Sequence, residues 1–361
     1  MEWRLKVCIV TYLNIFLALC EPKFTYANSK ATKPLVTAVY IFGDSTVDPG
    51  NNNGLATIAK ANFPPYGRDF MGRKPTGRFT NGKLVTDIIS GLAGLPDIVP
   101  AYLDPEFRGS RILAGASFAS AGSGYDDITP LSLNVLTLKQ QLENFKLYRE
   151  QLVKMLGAEN SSEVISGALF LLSMGTNDFA NNYYMNPTTR ARYTVDEFRD
   201  HIFQTLSKFI QNIYKEGASL LRVIGLPPFG CLPSQIANHN LTGNTSACVD
   251  EFNDIAISFN QKLQSLLETL KPMLPGLKIA YIDIYGKLLD MMKNPSKYGF
   301  EEVRRGCCGT GWVETAALCN PTTTICPDPS KYLFWDSFHP TGKAYNILGN
   351  DIFSQCVPNH I

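Results

Sequence analysis

Four short stretches of the chain are continuous and largely apolar: VTAVYIF at 36–42, ALFLL at 168–172, SLLRVIGL at 219–226 and LKIAYIDI at 277–284. Runs of that length without polar alternation predict strands buried on both faces, as in a parallel sheet. Between them the period changes. Leu138, Leu142, Phe145, Tyr148 and Leu152 recur at helical spacing, as do Val195, Phe198, Ile202, Phe203, Leu206, Phe209, Ile210 and Ile213. Thr194 and Glu197 are spaced as a capping box at the start of this second helix, and Gly217 closes it. A third helix is predicted near 248–271, through Val249, Phe252, Ile255, Phe259, Leu263 and Leu270. Strand, helix, strand in this order predicts helices on both faces of a mostly parallel sheet, a three-layer α/β/α sandwich. No repeat or linker divides the chain after its first residues.

In such a sheet, ligands bind at the carboxyl ends of the strands. The first predicted strand runs into FGDSTVDPGNNNG, Phe42 to Gly54, which brings Ser45 to a strand tip and follows it with turn formers. SMGTND, Ser173 to Asp178, follows the second strand in the same way. A serine nucleophile needs an oriented base, in most cases an imidazole. Of four histidines, His201 falls inside an amphipathic helix, His239 in a polar loop and His360 next to the chain end. His339 remains, in FWDSFHPTGKAYN, three residues after Asp336. On a helical turn that spacing would let the carboxylate reach Nδ1 and leave Nε2 for the serine. A local pair capping the next helix is the competing reading, and Ser45 tips the balance towards catalysis. The loops SFASAGSGYDD and GTND offer Gly122, Gly124 and Asn177 as oxyanion donors. The Asn/Gly loop after Ser45 is expected to form one wall of an accessible site.

These blocks, FGDSTVDPGNNN, SFASAGSGYD, GTND and WDSFHPT, occur in one order between Val36 and Phe353. Together they resemble the plant GDSL esterase/lipase family, within the wider SGNH hydrolases. The resemblance implies a flavodoxin-like fold and a serine ester hydrolase that forms an acyl-enzyme. It implies Ser45 as nucleophile, His339 as general base and then acid, and Asp336 as its orienter. The N–H groups of Ser45 and Gly122 and the amide of Asn177 would hold the oxyanion, and Asp44 would hold the turn. Two positions depart from the family pattern. Thr46 stands where leucine is expected, and Ser117 stands where asparagine is frequent, which leaves Gly122 against Gly124 open.

Composition narrows the setting. A formal net charge of +1 gives no reason to expect a nucleic-acid or anionic-membrane partner, and no partner protein is inferable. Arg4 and Lys6 precede an apolar run from Val7 to Cys20, with small residues through Ala27. This is the pattern of a signal peptide, too short and polar for a membrane span. Residues 1–27 are therefore expected to leave (cleavage after Cys20 is second choice), and 28–361 to form one secreted domain. Of nine cysteines, Cys8 and Cys20 go with the leader. The remaining seven suit disulfides within 307–326 and at least one thiol without an intramolecular partner. Their spacing does not suit zinc, and no metal or cofactor is expected. Asn160, Asn240 and Asn244 are candidate glycosylation sites. No G-x-S-x-G, phosphate loop, HExxH or dinucleotide fingerprint occurs.

Three functions remain open on this reading. One is a secreted hydrolase of lipid or other small-molecule acyl esters. Another is a deacetylase or acyltransferase acting on carbohydrate or a secondary metabolite through the same triad. The last is a catalytically silent binding or defence protein, which would have no need for serine, histidine, aspartate and asparagine together.

Overall fold

The computed structural model describes residues 34–239 and 247–356. The expected leader, Asn240, Asn244 and His360 lie outside the described residues. Five parallel strands form the central sheet: β1 (Val39–Gly43), β2 (Gly115–Ser117), β3 (Leu169–Ser173), β4 (Leu220–Ile224) and β5 (Lys278–Ile282). Their spatial order is β2-β1-β3-β4-β5. All five residues of β1 are buried, as continuous apolarity requires of a strand flanked on both sides and covered on both faces. The β5 edge is wetter, beginning at an exposed Lys278.

Helices cover both faces. The register aligns Tyr40 with Phe170 and Phe170 with Leu221. On that face Tyr40 meets Phe145 and Tyr148 of α2 (Leu138–Leu156). Phe42 reaches Phe209 of α3 (Val195–Lys215), and Phe203 packs on Phe259 of α5 (Asp250–Leu270). The other face, to which Arg222 belongs, carries α1 (Val85–Leu92) and α6 (Gly342–Cys356). There Arg222 Nη2 donates to Cys356 O at 3.0 Å, and Gly349 lets α6 approach Ile88. The short helix α4 (Pro233–His239) follows β4. The α/β/α sandwich is therefore observed, with the predicted capping box at Thr194 and Glu197 in place.

Some expectations need correction. The apolar run at 36–42 begins three residues before the strand does, because Val36 packs as a partly buried lead-in. β2 was not predicted. Gly115 there has φ +97, and a Cβ would stand 2.1 Å from Val39 O, so the position demands glycine. His239 ends α4 against the edge of Phe252, and is not in a loop.

A second sheet pairs β6 (Glu302–Gly306) with β7 (Tyr332–Phe334). Between them lie the disulfides Cys307–Cys326 and Cys308–Cys319, while Cys231 pairs with Cys248. Cys356 is unpaired and buried among the described residues. No described helix is long and apolar enough to cross a membrane.

Candidate active site

Ser45 sits where β1 stops. Gly43, with φ +153, is the last residue of the strand, and the position demands glycine because any Cβ would lie 2.1 Å from Ser173 O. Gln141 of α2 clamps that glycine on both sides, its Oε1 accepting Gly43 N–H and its Nε2 donating to Gly43 O, each at 2.9 Å. Asp44 N–H then bonds to Ser173 O, and Asp44 Oδ1 accepts from both the N–H and the hydroxyl of Thr46. The threonine that departs from the family pattern thus holds the turn. Burial pushes the Asp44 carboxyl up, against the Thr46 donors and the nearby His339 ring.

The chain returns to Ser45 from β7. Ser45, Asp336 and His339 are 5%, 0% and 2% exposed. Ser45 Oγ lies 2.7 Å from His339 Nε2, and His339 Nδ1 lies 2.9 Å from each Asp336 oxygen. The three residues picked from the sequence are therefore brought together. The Asp336–His339 segment is not a helical turn, however. It is a bend closed by Trp335 N–H to His339 O at 2.7 Å, in which Asp336 Oδ1 accepts the N–H of Phe338 and of His339. An aspartate side chain folding back on the following backbone gives the same proximity that a helix would.

Tyr66 completes the carboxylate. Its hydroxyl donates to Asp336 Oδ2 at 2.7 Å and accepts Ala316 N–H at 2.9 Å. Burial and the neighbouring carboxylate push the Tyr66 phenol well above its ordinary range, so it remains a donor. Nothing in the sequence around PPYGRD pointed to this residue, since its partners are over 200 positions away. The bend is also laced to the disulfide region: Cys307 N–H and Cys308 N–H donate to Phe334 O and Trp335 O, and Ser337 N–H donates to Glu314 O.

Opposite lie the expected oxyanion donors. Gly122 has φ +86 and lines the cavity in front of Ser45, as does Asn177. Asn177 spends one amide hydrogen on Ser123 O at 2.9 Å, and its oxygen accepts from Asn181, which leaves the second hydrogen for a ligand. Among the described residues, neither Ser45 N–H nor Gly122 N–H donates to a protein acceptor. Gly124 is packed away from the cavity against Asp178, whose oxygen would stand 2.4 Å from a Cβ there.

The Asn/Gly loop is not a cavity wall. It is a buried staple between the first two sequence blocks. Asp48 accepts from Gly50, Asn51 and Ala121 N–H groups. Asn51 donates to Ser117 O and Ala119 O, and Asn52 to Ala59 O and Ala121 O. Asparagine amides can satisfy two buried carbonyls at once. Ser117, the second departure, donates its hydroxyl to Val47 O at 2.8 Å and so fastens the same junction.

The cavity before Ser45 measures about 270 Å³ and is walled by residues the sequence did not single out: Ile58, Phe79, Leu133, Met185, α4 and the 313–316 loop. Phe79 leans on the His339 ring at 4.9 Å. A separate apolar void of about 60 Å³ lies behind Phe338 and touches neither Ser45 nor His339. Among the described residues no cluster is able to hold a metal. His201 lies apart from the site, stacked on Tyr193 and 3.6 Å from Asp126. Asn160 is exposed on its helix.

The sequence model of GDSL-like lipases/acylhydrolases matches residues 39–352. The chain belongs to that family. Its class is therefore that of the carboxylic ester hydrolases. Among its relatives, the GDSL esterase/lipase At5g03820 of Arabidopsis thaliana is 44% identical over 98% of this chain and 99% of its own. The GDSL esterase/lipase APG of the same plant is 46% identical over 89% and 91%. Among solved structures, a gut microbial diltiazem-metabolizing enzyme aligns with 90% of this chain and 48% of its own. Its identity is 11% and its TM-score 0.36, a likeness too distant to bear on function.

Proposed function

We propose that this GDSL-family hydrolase cleaves esters through a Ser45–His339–Asp336 triad and a covalent acyl-enzyme. The unbroken line from Ser45 Oγ to His339 Nε2 at 2.7 Å, and on to Asp336, carries the reading. Ser45 Oγ attacks the ester carbonyl carbon while its proton passes to Nε2 of a neutral His339. The new C–O⁻ takes hydrogen bonds from the N–H groups of Ser45 and Gly122 and from the free amide hydrogen of Asn177. Collapse breaks the bond to the alcohol, and the proton on Nε2 goes to the departing oxygen. Water then repeats the sequence on the acyl-enzyme, returning the acid and the free serine. Asp336 orients the ring and stabilises the imidazolium that forms in both halves. Asp44, committed to Thr46, holds the turn and takes no proton from substrate.

The setting belongs to the same proposal. The leader-like residues 1–27, the three disulfides and the exposed sequon at Asn160 support a secreted, glycosylated domain spanning 28–361. Labelling with a fluorophosphonate probe tests the chemistry. The secreted protein should take one probe, and Ser45→Ala should take none while losing on the order of 10⁴-fold in kcat. Ester hydrolysis by Ser45→Ala within about tenfold of the parent would refute the assignment.

A further inference from the structure

Between the Tyr66 loop and the His339 bend runs a four-residue stretch, Arg78 to Asn81, that is fastened on every side. Arg78 Nε and Nη2 donate to the two oxygens of the buried Asp87 of α1, at 2.8 and 2.7 Å. Thr80 Oγ1 donates to Pro340 O at 3.0 Å, and Asn81 Oδ1 accepts Gly342 N–H at 2.9 Å. On the other edge, Thr80 O accepts Gly67 N–H and Asn81 O accepts Asp69 N–H. Thr80 is thus fixed beside Pro340. One residue earlier in each segment, Phe79 comes to rest on His339, with ring centroids 4.9 Å apart and planes tilted by 40°.

Phe79 is the side chain of this stretch that spends nothing on a hydrogen bond. It is buried, as His339 is, and it also meets the Tyr66 ring edge-on at 5.7 Å. Tyr66 in turn holds Asp336. Phe338 brings a second ring to His339 at 5.4 Å, but it belongs to the bend itself. Packing alone would accept another apolar side chain of similar volume here. What an aromatic ring adds is a negative face, which attracts a cation within about 6 Å of its centroid. In a site closed to water, that face takes the place of solvent beside a developing positive charge.

We propose that Phe79 is a positioning residue of the hydrolase, which fixes the tilt of the His339 ring towards Ser45 and steadies the imidazolium against its π face. The proposal rests on the serine hydrolase reading above, in which His339 takes and returns a proton in each half of the reaction. The neutral ring before attack gains little from the contact, and the imidazolium of each transition state gains more. The contact therefore lowers the barrier without tightening the binding of substrate. Phe79 also lines the cavity before Ser45, so the test has to separate rate from binding.

The secreted chain is made with a ring-fluorinated phenylalanine incorporated at Phe79 alone. Fluorine drains the π density that attracts a cation and leaves the shape of the ring nearly as it was. Rates are read where the pH–rate profile is flat. kcat and kcat/KM should fall together by about threefold or more, with KM and Tm unchanged. Fluorophosphonate labelling of Ser45 should slow by a similar factor, since it needs the same proton transfer and no bound ester. Phe79→Leu, which removes the ring, should lose at least as much kcat. The same fluorinated residue at Phe170, which packs on Tyr40 and Phe145 in the core, should leave kcat within about twofold.

A protein fluorinated at Phe79 that keeps the parental kcat and labelling rate, or exceeds them, overturns the inference and leaves the hydrolase reading standing. A change confined to KM does the same, as does an equal loss from fluorination at Phe170, which would report packing. If Phe79→Leu is not secreted, the fluorinated chain still decides. A parent protein that neither labels nor hydrolyses any ester overturns the two readings together.

Discussion

Asp178 offers a prediction about stability whose sign is unusual for a carboxylate. It is fully buried and accepts from Tyr125 N–H, Asp126 N–H and the Thr129 hydroxyl. Burial nonetheless outweighs those donors and pushes its carboxyl up to about 7. In the unfolded chain an aspartate sits near 3.9. The folded protein therefore holds this proton more tightly. The stability it brings is complete below about pH 4 and is lost as pH rises through 7. Between pH 5 and pH 8 the loss comes to about 3 kcal/mol, at about 1.4 kcal/mol per pH unit while only the folded state keeps the proton. Asp48, pushed up to about 6 by burial, contributes in the same direction and roughly half as much. Asp44 acts in the same sense. Carboxylates held low, such as Asp97 beside Lys83, act only at more acid pH and do not enter this window.

With roughly 300 ordered residues and about 2.1 cal/mol/K of unfolding entropy each, 3 kcal/mol corresponds to about 5 °C in Tm. Calorimetry at constant ionic strength should show Tm falling from pH 5 to pH 8 by at least that amount. Asp178→Asn should melt lower throughout, since one amide oxygen cannot serve three donors, at a cost of roughly 1–3 kcal/mol. Its Tm should depend on pH only by the smaller share left by Asp48 and Asp44. A parent Tm that is flat or rises over the window would refute the reasoning. So would a variant with the full slope. Either result would mean that the three donors win over burial and the carboxyl is ionised throughout.

Asp336→Asn should cut kcat by roughly 10²–10⁴-fold, somewhat less than His339→Ala, and both should remain folded by circular dichroism. If only His339→Ala were impaired, a dyad would replace the triad; if both stayed active and only melted earlier, the pair would be a cap. Tyr66→Phe removes the donor to Asp336 and the acceptor of Ala316 N–H, so calorimetry should register a loss of roughly 2–4 kcal/mol and kinetics a lower kcat. Unchanged Tm and kcat would show the hydroxyl to be idle. Intact-mass measurement with and without glycosidase and reductant should find a chain beginning near Asn28, glycosylated and carrying three disulfides, with Cys356 alkylated only after unfolding; a reduced, unmodified chain retaining Met1 would contradict this.

The interior strands were legible because β1, β3 and β4 are apolar apart from Arg222 in β4 and Ser173 at the end of β3, a pattern that double-sided burial explains. The runs overshot because packing continues into the lead-in at Val36. β2 was illegible: Gly115, Ala116 and Ser117 carry no strand signal, and their place is set by the contact of Gly115 with Val39. β6 has exposed Arg304 and Arg305 in its middle and shows no apolar pattern at all. At the site, elimination among four histidines led to His339, because chemistry restricts which residue types serve. The geometry of its bend, the Tyr66 hydroxyl and the lining of the cavity depend on contacts between distant segments, for which local pattern holds no record. The Asn loop misled for a different reason. Polar composition reads as solvent exposure, whereas these amides point inward to satisfy carbonyls.

The hydrogen bond between Ser45 and His339 spans 294 positions, so the proposed reacting pair closes a loop of almost the entire chain. Contacts of such sequence separation form late, once the intervening strands and helices have bounded the search. No fragment that ends before His339 contains both partners, and a nascent or truncated chain of that length carries Ser45 without His339. If Ser45 is the nucleophile proposed above, its fluorophosphonate reactivity is a stopwatch for the maturation of the whole polypeptide. The interval between the end of synthesis and the first labelled molecule measures how long the last loop takes to shut.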